Sequence, residues 1–189
     1  MFPRLEALFF ENPWVHRAPP GKYGILYLLR RDINSCLGAE AGLRKRSARQ
    51  IQWPGAMSIF AGIDLLAKFL AGKDGSGVGS RFKAFVKRFF HLSDADAETL
   101  YQLRNSMLHS FGLYSRGKCG AVYRFTLVSR AARPLIRKKS HDQYLVDVIS
   151  LHEDFEKAIK KYRRALQDDS ALQQNFTAMF PNYGAIHIV

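Results

Sequence analysis

Leu103-Arg104-Asn105-Ser106-Met107-Leu108-His109-Ser110 is the stretch on which the reading of this chain turns. Its apolar members continue a helical pattern: at about 100° per residue, Leu100, Leu103, Met107 and Phe111 share one face. Glu98, Gln102, Asn105 and His109 form a polar stripe opposite. Ser93-Asp94-Ala95-Asp96 has the form of a capping box and opens this helix. Arg104 stands at the edge of the apolar face, about 140° around the axis from His109. One helix does not naturally aim both side chains at one atom. Either Arg104 swings toward His109, or a second copy of the helix supplies its partner at an interface.

The pair has a plain chemical use. An imidazole titrates near neutral pH, so His109 can take a proton from a ribose 2′-hydroxyl or give one to a departing 5′-oxygen. A guanidinium is always charged and matches phosphate oxygens with parallel donors, so Arg104 can hold a phosphate and stabilise its extra charge. Asn105 can bond the phosphate or orient His109 at i+4. This chemistry needs neither metal nor cofactor. His91, His141 and His152 have no metal-ligand spacing with acids or cysteines.

Outward from this helix, apolar spacing predicts three more before it. One covers about 23–37, with Ile25, Leu26, Leu28, Leu29, Ile33 and Leu37. A long one opens at Trp53-Pro54, carries Ile59, Phe60, Ile63, Leu66 and Leu70, and ends at Gly72. A third starts near Ser80, with Phe82, Phe85, Val86, Phe89 and Phe90 inward and Arg81, Lys83, Lys87 and Arg88 outward. Gly75-Ser76-Gly77-Val78-Gly79 between them follows no strand and completes no nucleotide-loop fingerprint, so it reads as a linker. A turn of helix is expected near Leu5 to Phe10. After the motif helix the period becomes two. Tyr123, Phe125 and Leu127, then Tyr144, Val146 and Val148, predict two strands of an antiparallel pair. A basic arm with Pro134 joins them. Helices over about 151–166 and 170–180 close the chain.

The composition describes one domain with an unusual charge. The chain has 189 residues, 29 Lys plus Arg against 16 Asp plus Glu, and a net charge of +13. A surplus of that size attracts polyanions: RNA, DNA or acidic membrane surfaces. Arg44, Lys45, Arg46 and Arg49 in one loop, and Arg137, Lys138 and Lys139 in the arm, are the expected guides for RNA. No apolar run is free of charge for the roughly 20 residues a bilayer span needs; the best, 57–70, carries Asp64 and Lys68. Only two cysteines are present, Cys36 and Cys119, and no export signal is evident. The expectation is a cytoplasmic protein with reduced thiols and no membrane partner.

Arg104-Asn105-x-x-x-His109, late in a helix of an all-helical stretch, resembles the Arg-x(4–6)-His motif of the HEPN superfamily. Asn105 supplies the polar residue that follows the Arg in that family's usual pattern. Gly62-Ile63-Asp64-Leu65-Leu66-Ala67 on the preceding long helix, then residues 82–90 and 101–110, are similar to bacterial HEPN-like proteins. The resemblance covers about residues 23–114. It implies a mainly α fold: a HEPN-like helical bundle of four to five helices in one domain over 1–189. Its helical core spans about 22–115, an added antiparallel β-hairpin about 119–149, and C-terminal helices about 151–180. It also implies a homodimer in which two Arg-His motifs meet in a cleft. The implied activity is a metal-independent endoribonuclease, toxin- or phage-defence-like, leaving 2′,3′-cyclic phosphate and 5′-hydroxyl ends. Its implied partners are RNA, a second copy of the chain and an inhibitor protein such as an antitoxin. Some members only bind nucleotides or proteins, and that is the alternative function. Asp64 has two readings: it pairs with Arg104 and aims the guanidinium, as acidic residues on the neighbouring helix do in this family, or it faces solvent or Lys68.

Overall fold

The computed structural model describes residues 2–12, 20–38, 52–117 and 120–188. Cys119 and the loop bearing Arg44, Lys45, Arg46 and Arg49 lie outside them. The described chain is mainly helical. Its helices are α1 (Phe2–Phe10), α2 (Ile25–Leu37), α3 (Gln52–Ala71), α4 (Val78–Phe90), α5 (Asp94–Ser110), α6 (Val148–Asp168) and α7 (Ser170–Tyr183). The strands are β1 (Lys22–Gly24), β2 (Tyr114–Arg116), β3 (Val122–Val128), β4 (Ile136–Lys138), β5 (Gln143–Asp147) and β6 (Ala185–His187).

Helix α3 is the axis, packed against α2, α4, α5, α6 and α7. Two of its glycines make this possible. A Cβ on Gly62 would lie 2.5 Å from Phe155 of α6, and one on Gly55 would lie 2.8 Å from Leu37 of α2. By length and composition α3 could cross a membrane, but half of its apolar window is buried inside this fold. The core is aromatic: Phe9, Phe60, Phe69, Phe82, Phe85, Phe155, Tyr162 and Phe176 are fully buried. Each of these Phe rings contributes about 1.5–3 kcal/mol by leaving water. The ends of the chain are tied by the β1–β6 ladder and by ion pairs of Arg163 with Glu6 and Glu11 and of Arg30 with Glu156.

Helix α5 starts as its sequence predicts, with the Ser93 hydroxyl accepting the Asp96 N–H at 3.1 Å. It ends at Phe111, whose φ of 46° is left-handed and whose N–H bonds the Ser106 carbonyl. The backbone leaves the helix there, so Phe111 departs from the apolar face and is 73% exposed. Arg81 also departs from expectation. It is buried, because its guanidinium donates to the carbonyls of Gly75 and Ser76 at 2.8 and 2.7 Å and braces the glycine-rich turn.

The expected antiparallel hairpin is corrected. Strands β3 and β5 do pair, but parallel, with Phe125 opposite Tyr144 and Leu127 opposite Val146. The antiparallel neighbours are β2 with β3 and β4 with β5, and the sheet order is β2-β3-β5-β4. The cause lies in the basic arm, which contains β4. The chain passes beyond β5, forms β4, and turns back through 139–142 to enter β5 alongside β3. Val148 is the first residue of α6, because the Asp147 carboxylate caps that helix through the Ser150 N–H at 2.8 Å.

Candidate functional site

The last two turns of α5 carry the motif, and α3 positions it. Arg104 faces α3 and is 8% exposed. Its Nε and Nη2 donate to one oxygen of Asp64, Oδ2, at 2.8 and 2.5 Å. Its Nη1 donates to Asn105 Oδ1 at 2.9 Å and meets His109 Nε2 at 2.7 Å. The long Arg104 side chain therefore does swing to His109 within one protomer. A guanidinium has no acceptor, so Nε2 must accept and the ring proton sits on Nδ1. Four of the five guanidinium N–H donors are thereby taken.

Asp64 lies 40 residues from Arg104 in sequence but adjacent to it in space. Burial pushes its carboxyl above the usual carboxylate range, outweighing the hydrogen bond and charge of Arg104. Its Oδ1 is buried without a hydrogen-bond partner among the described residues. Lys68, the other candidate partner, bonds Asp74 at 2.8 Å instead. Asn105 turns toward Arg104, and no bond from it to His109 is seen.

His109 opens onto a groove of about 640 Å3 between α5 and β2, also lined by Tyr101, Gln102, Asn105, Tyr114 and Arg116. Among the described residues, three serines, Ser106, Ser110 and Ser115, and Gly117 complete the lining, and no carboxylate does. The Ser115 hydroxyl donates to Gln102 Oε1 at 2.6 Å, and Gln102 Nε2 donates to Glu98 at 2.8 Å, which locks β2 against α5. Ser106 fixes the far end, donating to the Gly112 carbonyl at 2.6 Å. A second groove of about 560 Å3 shares Tyr101 and Gln102, but it contains Glu98, which binds Lys83 at 2.6 Å.

Arg104, Asn105, His109 and Asp64 are thus one hydrogen-bonded cluster. The expected RNA guides Arg137, Lys138 and Lys139 are not part of it. Arg137 and Lys138 are in β4 and Lys139 follows it, on the sheet edge opposite β2. Three strand spacings of about 4.8 Å separate those edges. Tyr101, Tyr114 and Arg116 line the groove and were not singled out from sequence. The alternation Tyr114-Ser115-Arg116 just past the helix end, stopped by Gly117, was the available signal. Among the described residues no group of three or more His, Cys, Asp or Glu side chains is placed to hold a metal ion. Comparison of the chain with protein-family models, curated proteins and solved structures gives no match.

Proposed function

We propose that this chain is a metal-independent endoribonuclease of HEPN type, acting on cytoplasmic RNA in the manner of a toxin or phage-defence nuclease. The observation that carries this reading is the 2.7 Å contact of Arg104 Nη1 with His109 Nε2 at a groove that no acid among the described residues lines. Nε2 takes the proton of a ribose 2′-hydroxyl. The 2′-oxygen then bonds to phosphorus, and the bond from phosphorus to the 5′-oxygen breaks. That oxygen receives the proton, leaving a 2′,3′-cyclic phosphate and a 5′-hydroxyl. Arg104 Nη1 passes from Nε2 to the phosphate as charge builds there. Asp64 and Asn105 hold the guanidinium in place. One groove offers a single imidazole; a homodimer would bring a second His109 to the same phosphate, so that base and acid act together. An inhibitor protein such as an antitoxin fits an enzyme with this activity.

A second reading has its own support. With four of five N–H donors satisfied inside the chain, Arg104 also suits a structural tie between α3 and α5 in a non-catalytic RNA- or protein-binding module. An RNA cleavage assay in EDTA separates the two. The nuclease reading expects wild-type cleavage with cyclic phosphate ends, abolished by His109→Ala and by Arg104→Ala. Salt-dependent RNA binding with no cleavage across diverse RNAs moves the assignment to the binding module.

A further inference from the structure

We infer that Arg116 is a second phosphate-contacting cation of the His109 groove, gripping the RNA backbone before Arg104 turns to the scissile phosphate, with Tyr114 and Tyr101 as stacking faces for the bases of a single-stranded RNA. The inference rests on the reading of this groove as an RNA site. It names residues that the Arg104–His109 motif does not include.

Among the described residues Arg116 is the one Lys or Arg that lines the groove, and three cations near it are held by carboxylates. Arg104 is held by Asp64, Lys83 by Glu98 and Arg124 by Asp142. Arg116 has no carboxylate partner among the described residues. Its Nε donates to the Tyr114 hydroxyl at 2.9 Å, which orients the guanidinium and leaves the N–H groups of Nη1 and Nη2 available. A guanidinium in that state offers the parallel donors that match two phosphate oxygens. Arg104 cannot do so without surrendering its existing bonds.

The aromatic residues match this assignment. Tyr114 is 44% exposed on the same strand, and the Arg124 guanidinium already lies 5.8 Å from its ring centroid. Tyr101 lines the same groove from α5 and is half-buried against Phe82, with ring centroids 5.6 Å apart. A volume of about 640 Å3 suits a ligand of one or two nucleotides, within the usual pocket range of about 300–1,000 Å3. Stacking on aromatic rings requires splayed bases, which single strands present and A-form duplexes do not. The neighbouring groove does not extend the path, because Glu98 lies in it.

The test is fluorescence anisotropy with a labelled single-stranded RNA carrying 2′-O-methyl groups throughout, which cannot be cleaved through the 2′-oxygen. The binding is measured across a salt series. Arg116→Ala should weaken binding about tenfold and reduce the salt slope by about 0.7, the value of one phosphate contact on a single strand. Arg116→Lys should restore the slope but not the full affinity. Tyr114→Phe should leave the stacking face and most of the affinity, and Tyr114→Leu should weaken binding with a smaller loss of slope than Arg116→Ala. Arg137→Ala with Lys138→Ala should change affinity less than Arg116→Ala. Circular dichroism checks that each variant is folded, and Arg116→Lys guards against loss of the strand. Arg116-dependent binding in a protein that cleaves no RNA supports this inference while refuting the nuclease reading. Cleaving wild type with an unaffected Arg116→Ala overturns this inference alone. Absence of salt-dependent binding by wild type, or equal affinity for a duplex, also overturns it.

Discussion

Asp64 in α3 and Asp147 at the head of α6 are both carboxylates withdrawn from water, and their surroundings differ. Asp147 is 1% exposed, and both of its oxygens accept backbone N–H bonds, from Ser150, Arg130 and Ala132. Burial alone would raise its pKa; those backbone bonds outweigh it and hold the carboxyl below its ordinary range. Among the described residues Asp64 bonds through one oxygen only, to Arg104, and its other oxygen has no partner. There burial prevails and the carboxyl is held high. The first is an anchor with its bonding complete. The second bears a cost of its own while it holds a guanidinium against His109.

The largest effect should come from breaking the α3–α5 pair. Asp64→Ala leaves Arg104 buried without its counter-charge and should cost about 3–5 kcal/mol in a urea melt. Asp147→Ala removes a helix cap and the acceptor of two further N–H groups; about 2–3 kcal/mol is expected. The two carboxylates then separate by sign. Asp64 titrates higher folded than unfolded, so its contribution is full at low pH and is lost as pH rises through the folded value. Asp147 titrates lower folded than unfolded, so its contribution is full above the unfolded value and is lost as pH falls through the folded one. On acidification, wild type should therefore gain stability relative to Asp64→Asn and lose it relative to Asp147→Asn. Curves that move in the same direction would refute the contrast. The smallest change expected is a gain: Phe111→Gly relieves a left-handed φ at an exposed cap and should add about 0.5–1 kcal/mol.

Much of this fold was legible in the sequence, because helical cores are written in local spacing. The inward Phe82, Phe85 and Phe89, the Ser93 cap and the break at Gly72 needed only neighbours within a few turns. The sheet was not legible. Alternation identifies β3 and β5 but carries no information on direction, and β4 is three residues in a run of cations without alternation of its own. Arg81 was misread because its partners are backbone carbonyls, which residue types do not reveal. In the site, the order Arg104-Asn105-His109 was visible in one helix, and Asp64 was one of two readings. The groove wall was hidden, since it depends on Gln102 and Ser115 drawing β2 onto α5.

The role proposed for His109 is to activate a ribose 2′-oxygen. Its most direct test is a pair of RNA oligonucleotides incubated with wild type in EDTA, identical except for a single 2′-deoxy nucleotide at the position cut in the first. The expected result is cleavage of the all-ribose strand to a 2′,3′-cyclic phosphate and no cleavage at the 2′-deoxy position. Equal cleavage of both strands, or cleavage of the all-ribose strand that survives in His109→Ala, would contradict it.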